Sequence, residues 1–140
     1  AWLREQFRLT PPPFYGSIDL RHSGFKIAPV DTNLFPAGFN NLNPKFMHFY
    51  IQAAQAAMAE ICPDISRVLL IPESHTRNLY YLENVAILQE ILLNAGFEVR
   101  VGSLISELTS AQTIELSDNK KLILEPLQQQ QNKIVLHDFT

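Results

Sequence analysis

Residues 67–101 read RVLLIPESHTRNLYYLENVAILQEILLNAGFEVRV. After Arg67 the run Val68-Leu69-Leu70-Ile71 is continuously apolar and ends at Pro72, the pattern of a strand covered on both faces. From about Tyr80 to Ala95 the period changes: Val85, Leu88 and Leu92 fall on one side of a helix, and Gly96 takes the position just past its end. Phe97 to Val101 returns to strand. Strand, helix and strand in about 35 residues make a βαβ unit with parallel strands and, by the general rule, a right-handed crossover.

Downstream, Thr113 to Leu116, a turn at Ser117–Lys120, and Lys121 to Glu125 read as a β-hairpin. Gln128 to Gln131 reads as a solvated connection, because glutamine side chains have little reason to pack. Lys133 to Phe139 closes as an apolar strand, and ending there suggests a piece of a longer polypeptide. Upstream, Asn43 caps and Pro44 opens a helix that runs to Ile61 and stops before Pro63. Phe46, Phe49, Tyr50, Ala53 and Ala57 give it an apolar stripe, widened by Met47, Ile51, Ala54, Met58 and Ile61, so it is expected to be mostly buried.

Tyr15 to Val30 alternates with strand period. A two-residue loop at Ser23-Gly24 would set Arg21 opposite Lys26 and Leu20 opposite Ile27, with Ile18, Leu20 and Ile27 on one apolar face. Pro11 to Pro13 stiffen the entry, so residues 1–13 read as a leading arm whose residues 1–10 are a short helix or an arm. The fold class is therefore α/β, a mixed sheet with a βαβ unit and β-hairpins, and residues 1–140 read as a single domain.

The chain is 46% hydrophobic and 18% charged, which suits a folded domain rather than a disordered tail. A net charge of −3 and a pI near 5.8 argue against a general nucleic-acid partner. No apolar run is long enough to span a bilayer, and Arg4, Glu5 and Arg8 interrupt any signal-peptide core, so the expected location is the cytoplasm. The single cysteine, Cys62, leaves no internal disulfide and reads as a small core hydrophobe. His22, His48, His75 and His137 are too scattered to hold a metal, and no GxGxxG or Walker A motif is present.

Two polar stretches stand out. Asp19 to Asn41 contains Arg21, Lys26, Asp31, Asn33, Asn40 and Asn41. Two cations facing each other on a strand pair repel unless Asp19 or a bound carboxylate or phosphate neutralises them. The plainer reading is a solvated strand face, with Asp31 and Asn33 making turns. The second stretch, Glu73-Ser74-His75-Thr76-Arg77-Asn78, falls at the carboxyl end of a parallel strand, where open α/β sheets bind ligands. There Glu73, His75, Arg77 and Asn78 form a possible second loop of the site, and the plainer reading makes Thr76 or Asn78 a helix cap. No nucleophile with an evident base can be picked out, so catalytic residues stay unassigned.

Ile18-Asp19-Leu20-Arg21 and the 19-residue string Gly24 to Leu42, with Leu70 to Asn78, Tyr81-Leu82-Glu83-Asn84-Val85 and Ala95 to Gly102, resemble the proteobacterial glutamate–cysteine ligase family of iron-oxidiser type. The resemblance covers about residues 14–104 well and the remainder loosely. Leu136-His137-Asp138-Phe139-Thr140 also resembles a family segment, which usually has asparagine at the position of His137. Members are much longer, so what it implies is a Rossmann-like layered N-terminal domain of a larger ligase. That ligase joins the γ-carboxylate of glutamate to the amine of cysteine through an acyl phosphate, the first step of glutathione synthesis. ATP and magnesium are the implied cofactors, held by the missing C-terminal portion rather than tightly by this part, which alone is expected to be inactive. Chemistry then suggests Arg21 for the glutamate α-carboxylate, Asp31 for its ammonium, and Asn33, Asn40 and Asn41 for orientation. The alternative from another class is a non-catalytic α/β module that binds an amino acid or anion, or docks a partner.

Overall fold

Alternation of apolar and polar residues on both sides of one helix is what organises most of the chain. A computed structural model describes residues 2–73 and 78–139, the side chain of Asp118 excepted. Helix α3 (Leu79–Asn94) lies between strands β3 (Arg67–Leu70) and β4 (Glu98–Ser103), which pair in parallel as the βαβ reading requires. Strand β6 (Lys121–Pro126) pairs in parallel with β4 and antiparallel with β5 (Gln112–Glu115), giving a mixed four-stranded sheet of order β3-β4-β6-β5. Leu82 and Val85 of α3 close on Val101 of β4 and on Leu122 and Leu124 of β6, one cluster of the core. Gly96 ends α3 at φ +100, a backbone conformation that glycine adopts without cost.

Helix α2 (Met47–Ile61) follows a single 3-10 turn at Pro44–Phe46, whose first turn is capped by the Asn43 side chain accepting from Lys45 N–H at 3.0 Å. It packs on α3, but only Ala54 is buried. The expectation of a mostly buried helix is thus corrected: its apolar stripe is wider than its contact with α3, and Phe46 and Phe49 stay about half exposed. Strand β3 is likewise half-buried rather than covered on both faces. Cys62 caps the C-terminus of α2 and is exposed, not a core residue, because the helix ends there and the chain turns away.

The glutamine run also differs from expectation. Gln128–Gln130 is strand β7, paired antiparallel with β8 (Lys133–Val135) in a small hairpin. The backbone supplies that pairing, so side chains that do not pack are no obstacle to it. The strand expected over 133–139 therefore stops at Val135, and Leu136 and Phe139 form only an isolated bridge.

By contact the chain divides into two compact units, residues 1–38 and 39–140, where sequence reading takes 1–140 as one domain. The first unit holds helix α1 (Trp2–Leu9) and strands β1 (Ser17–His22) and β2 (Ile27–Asn33), an antiparallel two-stranded ribbon. Its register differs from the one expected. Arg21 faces Ala28, Leu20 faces Pro29, and Val30 is the extra residue of a bulge. The connection is Gly24-Phe25, closed by Ser23 N–H donating to the Lys26 carbonyl at 3.0 Å. A two-residue loop takes its positive φ most easily with glycine first, and Gly24 at φ +93 sits there. Among the described residues the buried hydrophobic side chains, from Ala54 to Leu136, belong to the second unit, and the first buries Pro36.

Candidate functional site

The pairing of β1 with β2 sorts the hairpin's residues by face. Residues directly opposite share a face, so Asp19, Arg21, Asp31 and Asn33 gather on one side, and Ile18, Leu20 and Ile27 on the other. Lys26 falls on the same side but flanks the loop opposite Ser23, diagonal to Arg21 instead of directly facing it. The like charges that meet are Asp19 and Asp31, cross-strand partners. Asp31 accepts from its neighbour Thr32 N–H at 2.9 Å and from Asn33 Nδ2 at 3.4 Å, a local turn-like arrangement. The Arg21 side chain is exposed and has no hydrogen-bond or ion-pair partner among the described residues.

Arg100 shows what a spent guanidinium looks like. Its Nε donates to Glu125 Oε1 at 2.7 Å, and Nη2 closes the bidentate fork onto Oε2. Nη1 donates to the His137 carbonyl at 3.0 Å. The ring of Phe139 lies 5.2 Å from this guanidinium and 5.8 Å from that of Arg67. The fork holds the Glu125 carboxyl below the usual carboxylate range and raises Arg100 further above its ordinary value. Its nitrogens and one face are committed internally, so Arg100 braces the sheet and offers little to a ligand. Sequence reading missed this pair. The signal was there in alternation: Arg100 sits between buried Val99 and Val101, and Glu125 beside buried Leu124, on strands that turn out to be neighbours.

In the second unit, Asn40 and Asn41 lie in a 3-10 turn at Phe39–Asn41. Asn84, buried on α3, fixes that turn by accepting from Asn40 N–H at 3.0 Å while donating to the Tyr80 carbonyl at 2.6 Å. Asn40 thereby joins the wall of a cavity of about 280 Å³ with Met47, Glu83, Glu90 and Lys120, the last two ion-paired at 2.9 Å. At the start of α3, Asn78 is the helix cap, its Oδ1 accepting from Tyr80 N–H at 3.0 Å. Glu73 is exposed, and its backbone N–H donates to the Tyr81 hydroxyl at 3.2 Å. His75 and Arg77 lie outside the described residues.

The carboxyl ends of parallel strands β4 and β6 open on a larger cavity of about 440 Å³, walled by Leu104, Leu108, Leu127 and Ile134 with Ser106 and Lys133. Gly102 makes room for Leu127 there, since a Cβ on it would fall 2.4 Å from Leu127 Cδ2. Among the described residues no three His, Cys, Asp or Glu side chains group as ligands, and the glycines with positive φ belong to turns.

The sequence profile of the GshA glutamate-cysteine ligase family matches residues 1–140. This chain belongs to the glutamate-cysteine ligase family. Its structure is similar to the crystal structure of a proposed gamma-glutamylcysteine synthetase from Methylobacillus flagellatus KT, with a TM-score of 0.89 and 53% identity. The likeness covers 99% of this chain and 32% of that one, so the chain spans about a third of the length of this ligase-family relative. A comparison with functionally curated proteins gives no match.

Proposed function

We propose that the chain is the N-terminal, substrate-side part of an ATP-dependent glutamate–cysteine ligase. One observation carries the reading: the family profile and a relative of closely similar structure each span essentially the whole chain. The reaction activates the γ-carboxylate of glutamate as an acyl phosphate, with ADP leaving. The amine of cysteine then attacks the carbonyl carbon, a C–N bond forms and phosphate departs. Bound magnesium and cationic donors on the remainder of the ligase would supply the electrostatic stabilisation that phosphoryl transfer needs.

The hairpin's charged face suits the amino-acid end of glutamate. Arg21 offers an uncommitted planar fork to the α-carboxylate. The facing carboxylates of Asp19 and Asp31 repel each other, and a bound ammonium relieves that repulsion. Asn33, on the same face, can orient the ligand by hydrogen bonding. Asn40 adds an amide to its own cavity, Asn41 lies beside it in the same turn, and Lys26 supplies positive charge at the hairpin tip. The loop residues Glu73, His75, Arg77 and Asn78 remain a second candidate group, with Asn78 also the cap of α3. No helix of the described residues is long and apolar enough to cross a membrane, and a ligase that consumes ATP and free glutamate is assigned to the cytoplasm.

The test is formation of γ-glutamylcysteine and ADP in equal amounts from glutamate, cysteine, ATP and magnesium, by the product of the complete reading frame. The 140-residue chain alone should give neither. Saturable glutamate binding with no ADP released by the complete product would instead favour the non-catalytic module.

A further inference from the structure

The hairpin of β1 and β2 lacks what a ribbon of its kind needs to persist. Two strands with no third partner are marginal in water unless their apolar face packs on something. Here Ile18 is 58% exposed, Leu20 61% and Ile27 60%, all on one face, while no residue of either strand is buried. Both outer edges of the ribbon are unpaired among the described residues. The opposite face is charged, so a cover is called for on one side only.

We propose that the Ile18–Leu20–Ile27 face is the docking surface for the remainder of the ligase polypeptide, which rests on the functional reading above. Two observations select that occupant. The structurally similar ligase-family chain extends well beyond the matched part, which is 32% of its length. The face also offers only three large apolar side chains, Ile18, Leu20 and Ile27, against the roughly 20–30 residues a side that a stable complex of separate molecules buries. A segment of the same polypeptide needs no such extent of contact, because its tether raises its effective concentration. Docking the apolar face leaves Asp19, Arg21, Asp31 and Asn33 directed away from the contact and open to ligand.

Hydrogen exchange measured by mass spectrometry on the complete ligase and on the 140-residue chain decides the matter. Amides of residues 17–33 should be protected in the complete ligase and lose that protection in the 140-residue chain, while residues 98–103 stay protected in both. Leu20→Asp in the complete ligase should remove protection from 17–33 and leave 98–103 unchanged. Fast exchange of 17–33 in an active, complete ligase overturns the proposal. Equal protection in the monomeric 140-residue chain overturns it too, as does protection that appears only when that chain dimerises, which would make a second copy the occupant. Activity is assayed on the same sample: protection without γ-glutamylcysteine formation would remove the functional reading and leave the docking surface standing.

Discussion

Leu20 and Leu122 are both leucines on β-strands, and they stand in different media. Leu122 is fully buried between α3 and the sheet, whereas Leu20 is 61% exposed on a ribbon with no third strand. The contrast extends to their surroundings. Among the described residues, 39–140 hold the buried hydrophobic side chains from Ala54 to Leu136 and bind key polar groups internally, as Arg100 does with Glu125 and Asn84 with Asn40. Among the described residues, 1–38 keep most apolar and charged groups in water, Pro36 being buried. A scaffold satisfies its own groups and a working surface leaves them for something else.

The sharpest way to break this comparison is to truncate a leucine in the core. Leu122→Ala should cost about 2–5 kcal/mol, the range for a large-to-small change at a fully buried position, read as a lower denaturation midpoint. A cost below about 1 kcal/mol would mean that the core is looser than its packing implies. Arg21→Ala in the complete ligase tests the other region through activity. Losing a charge-assisted contact worth about 1.5–3 kcal/mol lowers kcat/KM roughly ten- to a hundredfold, with little change in melting temperature. Arg21→Lys should recover only part of that, because lysine lacks the planar fork. Unchanged kinetics in Arg21→Ala would return the hairpin's charged face to plain solvation.

Glu125→Gln gives a smaller effect with a characteristic pH dependence. Because the fork lowers the folded pKa of Glu125, its stabilisation is present above the ordinary carboxylate pKa. It is lost as pH falls through the lowered folded value, where both states bind the proton. The wild type should therefore exceed the variant by about 1–2 kcal/mol at neutral pH, a margin that shrinks on acidification. A margin independent of pH would assign the loss to packing instead of charge. The smallest effect belongs to Leu20→Ala in the 140-residue chain, within about 0.5 kcal/mol, as for an exposed side chain.

How much of this was legible depended on whether side chains or backbone made the decision. α3, β4 and the β5–β6 hairpin follow from apolar spacing because their side chains do pack, and Gly96 marks the end of α3 as its φ requires. The extent of burial on α2 was not legible, since periodicity shows which face is apolar and not how much of it finds a partner. β7 was missed because main-chain pairing leaves no mark on a run of identical glutamines. For the candidate site, the charged character of Asp19 to Asn33 could be read, but not its arrangement. Moving the loop from Ser23-Gly24 to Gly24-Phe25 shifted Lys26 from directly opposite Arg21 to a diagonal position and, with the bulge at Val30, set Asp31 against Asp19. Asn84 carried no signal of its own, since its importance lies in a contact 44 residues away.

The chain's single tryptophan, Trp2, lies on α1 and is 70% exposed. Its indole emission therefore reports on a solvated helix and not on the packed layers around Leu122. In a titration of the 140-residue chain with urea, fluorescence should barely change colour while far-ultraviolet dichroism records the loss of α2, α3 and the sheet. An optical probe chosen by habit would make a cooperative transition look like no transition.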